Sequence, residues 1–247
     1  MTAIVTGAGR GLGRAFAVRL AADGYQVAVV SRTRAELDET VRLAGRGVIG
    51  ITADVTDEQA VARMAAEVEQ RLGPIDVLVN NAGMGAPFGP TWECSPTEWW
   101  RNIEVNLKGP MLCSRAVLPG MIARRSGRIV NIASGAGAMN IPHMSAYVAS
   151  KAALIQFTGA LNEELRAHGI SVFAVQPGTV RTALAEELLN SEQGKRWLPW
   201  FGEIFARGQD VTSEPAEKLL VTLASGKADG FSGRLLNACD LPEGFPQ

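Results

Sequence analysis

Histidine is scarce in this chain. His143 and His168 are the only two in 247 residues, so no histidine-based metal site is expected, and the sequence suggests no other metal ligand set. Cysteine is scarce too. Cys94, Cys113 and Cys239 are odd in number, with no C-x-x-C pair and no zinc-like spacing. They read as small buried hydrophobes in a reducing cytoplasm, not as a disulfide framework. No stretch approaches the roughly 18 uninterrupted apolar residues of a membrane span. The first apolar run is only four residues long before it meets glycines, which is unlike a secretory leader. The formal net charge is −1, so neither nucleic acid nor an anionic membrane is an expected partner. The basic pair Arg124-Arg125 reads as a helix end. No repeat, low-complexity tract or linker is visible. One cytoplasmic domain, residues 1–247, is expected.

Strand-like and helix-like patterns alternate, which predicts a parallel sheet covered by helices on both faces. Strands are expected at 3–7, 26–30, 48–53, 75–79, 128–133, 171–175 and 234–237. Asp57 should cap a helix whose apolar positions Val61, Met64, Ala65, Val68 and Leu72 step by three and four. Ser95-Pro-Thr-Glu98 has the form of a capping box and opens a long helix towards Met121. Gly109-Pro110 should kink that helix. The helix around Tyr147 should end near His168-Gly169.

The first strand runs into Gly7-Ala-Gly-Arg-Gly-Leu-Gly13, and a helical pattern follows. Glycines allow positive φ and let a phosphate approach main-chain N–H groups. The helix N-terminus behind them offers unpaired donors and the positive end of a dipole. The spacing is T-G-x-x-x-G-x-G (Thr6, Gly7, Gly11, Gly13), since Leu12 stands where the third glycine of G-x-G-x-x-G would fall.

Tyr147 and Lys151 stand four apart, so on a helix they share a face, about 5–6 Å apart between Cβ atoms. A phenol beside an ammonium is expected to have its pKa pulled down, which suits Tyr147 to proton transfer. Taken alone, the pair could be a buried Tyr and a solvated Lys on an ordinary amphipathic helix.

Together these motifs resemble the short-chain dehydrogenase/reductase family. The resemblance runs through Asp54, Asn80-Asn-Ala-Gly83, Asn106, Ser134, Tyr147-x-x-x-Lys151 and Pro177-Gly178 to Thr182, in family order. It implies a single Rossmann-type, three-layer α/β/α domain on a parallel seven-stranded sheet. It also implies an oxidoreductase that interconverts a carbonyl and a secondary alcohol. Tyr147 would be the general acid/base, and Ser134 would hold the substrate oxygen. Lys151 would bond the nicotinamide ribose and lower the pKa of Tyr147, and Asn106 would steady a water linking Lys151 to solvent. The dinucleotide would lie along Gly7, Gly9, Arg10, Gly11, Leu12 and Gly13, and meet Ser31 and Arg32. Asp54, beside Val55, would accept from the adenine amino group. Asn81, Ala82 and Gly83 would border the cofactor, as would Pro177, Gly178, Val180 and Thr182. Asn80 would be structural, bonding backbone to fix its strand. A non-catalytic dinucleotide-sensing regulator is the alternative of a different class. The intact Asn106, Ser134, Tyr147 and Lys151 set argues against it.

The usual rule places an acid about 20 residues beyond the glycine turn to bind a ribose 2′-hydroxyl. Here Ser31 and Arg32 occupy that place. A guanidinium suits a 2′-phosphate, and Arg10 can add a second positive charge, so NADP is preferred and NAD remains possible. The family's substrate lid would span about 183–209, with Trp197-Leu-Pro-Trp-Phe201 covering an apolar substrate or packing the lid onto the body. Met84, Met139, His143 and Met144 would border the pocket. The tail from Asn237 to Gln247 lacks the Asp-Gly-Gly that often closes relatives. A homotetramer is expected, with a dimer next. Leu112, Val117, Leu154, Phe157 and Leu161 supply apolar surface beyond what one core face needs.

Overall fold

The computed structural model describes residues 1–246. Seven strands form one parallel sheet: β1 (Thr2–Thr6), β2 (Gln26–Ser31), β3 (Val48–Thr52), β4 (Ile75–Asn80), β5 (Gly127–Ile132), β6 (Ile170–Gln176) and β7 (Leu235–Asn237). Their order is β3-β2-β1-β4-β5-β6-β7. The chain steps outward from β1 through β2 to β3, then returns to the other side of β1 with β4. That reversal opens a crevice beyond the carboxyl ends of β1 and β4.

The strands bury both faces, and their alternation divides the core. Ala3 and Val5 of β1 face α1 (Gly11–Ala22), α2 (Arg34–Ala44) and α10 (Glu214–Ser225), packing with Phe16, Leu37 and Leu219. Ile4 faces the other way, towards α3 (Glu58–Leu72), α5 (Gly109–Arg124) and α6 (Ser145–Leu165), with Met64, Val117 and Leu161. Asp57 caps α3 by accepting from the N–H groups of Gln59 and Ala60, and Ser95 caps α4 (Pro96–Ile103) by accepting from Glu98.

Several expectations are corrected. The long helix is interrupted just before Gly109-Pro110, by a π-helical turn at Glu104–Lys108 in which the Gly109 N–H reaches the Glu104 carbonyl. Pro110 has no N–H for the Asn106 carbonyl, and the widened turn absorbs that loss. Helix α2 was not expected. The segment at 183–209 is three short helices, α7 (Ala183–Asn190), α8 (Glu192–Trp197) and α9 (Pro199–Ala206). Leu112, Val117, Leu154 and Leu161 are buried within the protomer, and Phe157 packs against the same core. They therefore give no argument for association. The large apolar side chains left outside are others, among them Trp92 (84% exposed), Trp100 (62%), Met139 (59%) and Met111 (38%).

Candidate active site

The glycine turn leaves β1 and enters α1 at the crevice. Gly7 has φ +63°, and a Cβ there would stand 2.7 Å from the Ala82 Cα. A Cβ on Gly13 would collide with the Asn81 amide and the Gly7 carbonyl. Both positions thus need glycine, one for conformation and space, the other for close approach of helix to strand. Helix α1 has no side-chain cap and no acid in its first turn. Its first N–H groups are free to bind an anion. The cradle and its donors fit a pyrophosphate.

The end of β4 is stitched to the turn. The Thr6 hydroxyl accepts from the N–H groups of Asn81 (3.0 Å) and Ala82 (3.1 Å), and Asn81 Nδ2 donates to the carbonyls of Thr6 (2.9 Å) and Gly7 (3.2 Å). Asn80 instead faces α5, and its Nδ2 donates chiefly to Asn131 Oδ1 at 2.8 Å on β5. The backbone-bonding role expected of Asn80 therefore belongs chiefly to Asn81.

Ser134 follows β5, and Tyr147 and Lys151 lie on one face of α6, so the three converge beside the crevice. Lys151 is buried, and its Nζ lies 5.7 Å from the Tyr147 ring centre. Nζ donates to the Ile132 carbonyl at 2.8 Å, with no carboxylate bonded to it. Loss of hydration therefore lowers the Lys151 pKa to about 8. Loss of hydration also raises the Tyr147 pKa, against a smaller lowering from its hydrogen bond with Ser134. This reverses the expectation that Lys151 pulls the phenol down. Withdrawal from water sets the direction, and the protonated phenol is the favoured form.

Asn106 sits in the π turn, fully buried. Its Nδ2 donates to the Met84 carbonyl (2.9 Å), Asn102 Oδ1 (2.8 Å) and Ser150 Oγ (3.0 Å), and its Oδ1 accepts from the Met84 N–H (2.9 Å). The side chain is spent on protein partners. Its main-chain carbonyl gets no hydrogen bond from Pro110, which has no N–H.

The sequence model of the short chain dehydrogenase family matches residues 1–193. The chain belongs to that family. It is 37% identical over 244 residues to the 3-oxoacyl-acyl-carrier-protein reductase FabG of Staphylococcus epidermidis, covering 96% of each chain. It superposes with a TM-score of 0.86 on a variant actinorhodin polyketide ketoreductase solved with NADPH (35% identity, 96% and 94% covered). NAD+-bound xylitol dehydrogenase superposes with a TM-score of 0.84 (28% identity, 96% of each chain). The protein is thus an NAD(P)-dependent short-chain dehydrogenase/reductase.

For such an enzyme, three polar residues at the crevice were not foreseen. Asn102, on α4, is fully buried, and its Nδ2 donates to the carbonyls of Met84 (3.2 Å), Gly85 (3.2 Å) and Ala86 (2.7 Å). Ser150 takes the bond from Asn106 and donates to the Tyr147 carbonyl at 2.8 Å. A run of four or more polar contacts thus joins the loop after β4, the π turn and the tyrosine helix. The spacing Asn102-x-x-x-Asn106, one helical turn, was the available signal. The third is Glu36, whose carboxylate Oε1 lies 3.7 Å from Arg10.

Asp54 is less free than expected. Its carboxylate accepts from Thr56 N–H (2.9 Å), Thr56 Oγ1 (2.7 Å) and Arg101 Nη2 (2.9 Å). These bonds lower its pKa despite partial burial. Arg32 is exposed at the end of β2. After β6, Gly178 has φ +88°, and Val180 bridges to Val211. Thr182 caps α7 by accepting from the Ala185 N–H.

Helices α7–α9 close over the tyrosine. Leu188, Leu198, Trp197 and Phe201 share a cluster with Phe88, Met144 and Tyr147. His143 has φ +66°, its ring lies 4.7 Å from that of Trp197, and its Nδ1 is buried without a partner. Met139 instead is exposed. On the outer side of Trp197 lies a cavity of about 340 Å³ bordered by Phe88, Cys94, Glu98, Glu192 and Arg196.

Proposed function

We propose that the protein is an NADP-preferring oxidoreductase that interconverts an apolar or ring-bearing carbonyl compound and its secondary alcohol. The observation that carries the reaction is the convergence of Ser134, Tyr147 and Lys151 beside an anion-accepting glycine turn. The bound dinucleotide supplies or takes the hydride. In reduction, Ser134 holds the substrate oxygen, and Tyr147 donates its proton to that oxygen as the carbon gains the hydride. Burial suits this role, because it keeps the phenol protonated until charge develops on the substrate. Lys151, easily deprotonated at about 8, then returns a proton to Tyr147, and the main-chain carbonyl of Asn106 holds the water that resupplies it. Leu12, Val55, Gly83, Pro177, Gly178, Val180 and Thr182 would help hold the dinucleotide, with Asp54 at the adenine.

The preference for NADP is supported by Arg32 and by the absence of an acid at the end of β2. The NADPH carried by the ketoreductase and the NAD+ carried by the xylitol dehydrogenase show that related chains use either form. The substrate class is supported by the apolar cluster of Phe88, Met144, Trp197 and Phe201 around Tyr147. A cytoplasmic setting fits three free thiols, and a homotetramer fits exposed Trp100 and Met111 on the α4–α5 side.

The test is kcat/KM for NADPH and NADH across a panel of ketones and aldehydes, in wild type, Arg32→Ala and Ser31→Asp. Arg32→Ala should cost NADPH roughly 10- to 150-fold, the worth of a charge-assisted hydrogen bond, and NADH only a few-fold. Ser31→Asp should invert the preference. Equal effects of Arg32→Ala on both cofactors would refute the NADP assignment. No turnover of any carbonyl would refute the reaction.

A further inference from the structure

The acid missing from the end of β2 is present in space. A Cβ on Gly9 would stand 2.8 Å from Glu36 Oε2 and 3.0 Å from Ser31 Oγ. The Glu36 carboxylate therefore lies over the glycine turn, between it and the last residue of β2. It reaches there from the first turn of α2, five residues past Ser31. It is about one-third exposed, so it is open to a ligand in the crevice.

Its position is built in by backbone. Thr40, one turn along α2 and fully buried, has its hydroxyl within reach of the carbonyls of Ala8 (2.9 Å), Glu36 (3.1 Å) and Gly9 (3.3 Å), and its single proton is shared among them. Arg14 of α1 donates to Thr40 Oγ1 at 3.0 Å and to the carbonyls of Gly9 and Glu36. The bonds that hold α2 to the turn run through the Thr40 hydroxyl and Arg14, and the Glu36 carboxylate takes no part in them. The carboxylate makes one ion pair, at 3.7 Å with Arg10, whose side chain is 65% exposed. Arg10 is one of the two cations expected to greet a 2′-phosphate, and Arg32 is the other.

We propose that Glu36 is a cofactor-selectivity residue. Its carboxylate takes the place of the absent β2 acid, accepts from a ribose 2′-hydroxyl, and opposes a 2′-phosphate both by repulsion and by occupying Arg10. This rests on the reading that the adenosine half of the dinucleotide lies between the turn and β2. NADP preference is then the balance of Arg32 against Glu36, and NAD remains a competent second cofactor because of Glu36.

The experiment needs no catalysis. Adenosine 2′,5′-bisphosphate and adenosine 5′-monophosphate are titrated calorimetrically into wild type, Glu36→Gln and Arg32→Ala, at low and high ionic strength. Glu36→Gln should bind the bisphosphate about ten-fold more tightly, the scale of one removed like charge near a surface. The monophosphate should weaken a few-fold or hold. The gain should shrink at high ionic strength, because exposed charges are screened. Glu36→Asp, which keeps the charge but withdraws it by one methylene, should show a smaller gain. Equal weakening of both probes would make Glu36 a fastener of α2 and overturn the proposal, as would no change in either. Arg32→Ala separates the two readings. If it leaves the bisphosphate untouched, the NADP preference fails, whatever Glu36→Gln does.

Discussion

Replacing Asn102 tests how the loop after β4 is held. The two N–H bonds of Nδ2 are shared among three carbonyls, the shortest to Ala86 at 2.7 Å, and Oδ1 accepts from Asn106 at 2.8 Å. That is about three full hydrogen bonds in a fully buried setting, each worth about 1 kcal/mol net and more when its partner is left unsatisfied. Asn102→Ala should therefore cost about 2–4 kcal/mol, which leaves a domain of ordinary stability folded, and lower the melting temperature by roughly 5–15 °C. Asn102→Asp has nearly the same shape and should be worse at neutral pH, because a carboxylate oxygen would face carbonyl oxygens. An ordinary Asp ionises near 3.9. Among carbonyls its folded pKa must rise, since only the protonated form can donate. Stability relative to wild type should thus be greatest below about pH 4 and fall as the pH rises through the folded pKa. Urea unfolding of the three proteins across a pH series measures this. If Asn102→Asp matches wild type at neutral pH, or its deficit does not change with pH, the amide is not the donor described and the reasoning is refuted.

Tyr147→Phe should keep cofactor binding and lose about 10²–10⁴-fold in kcat; survival of most of the rate would remove Tyr147 from the chemistry. Lys151→Met should abolish turnover yet stabilise the cofactor-free protein near neutrality. A lysine whose folded pKa falls to about 8 carries its full burial cost below that pH, and the cost fades as the pH rises from about 8 to the unfolded value near 10.4. The gain, about 1–2 kcal/mol once the lost bond to the Ile132 carbonyl is counted, should shrink in thermal melts at alkaline pH. A loss at every pH would show that Lys151 is not strained by burial. Light scattering at micromolar concentration should give a tetramer or a dimer mass, and a monomer would remove the association argument from Trp100 and Met111.

Features carried by contiguous sequence were legible. The sheet follows from short apolar runs at regular intervals, and the turn from Thr6, Gly7, Gly11 and Gly13. Ser134, Tyr147 and Lys151 lie within a span of eighteen residues. Helix α2 was missed because only Leu37 and Thr40 are buried along it, too few to show a period against its charged surroundings. The apolar residues of α5 and α6 were misread because these helices are covered by more than the sheet. Helix α5 also packs on α3 and α6 on α4, so a wide apolar face is core rather than interface. The Tyr147 shift has the opposite sign because the sequence shows a neighbouring lysine but not how far the folded chain withdraws the phenol from water.

Asn102, Ser150 and Glu36 share a reason for escaping notice. Each works by satisfying or opposing groups brought from distant segments. Asn102 reaches back 16–18 residues to three carbonyls. Asn106 then spans 44 residues to Ser150, and Ser150 closes onto the carbonyl of Tyr147 itself. The loop after β4, the π turn and the N-terminal turns of α6 are therefore one hydrogen-bonded body. The π turn is what permits it. With Pro110 unable to donate to Asn106, the helix widens there, and a buried asparagine in that turn meets the loop on one side and α6 on the other. A tyrosine and lysine four apart are common on helices. What sets this pair apart is that the tyrosine's own backbone is anchored, through two asparagines and a serine, to the loop that borders the crevice.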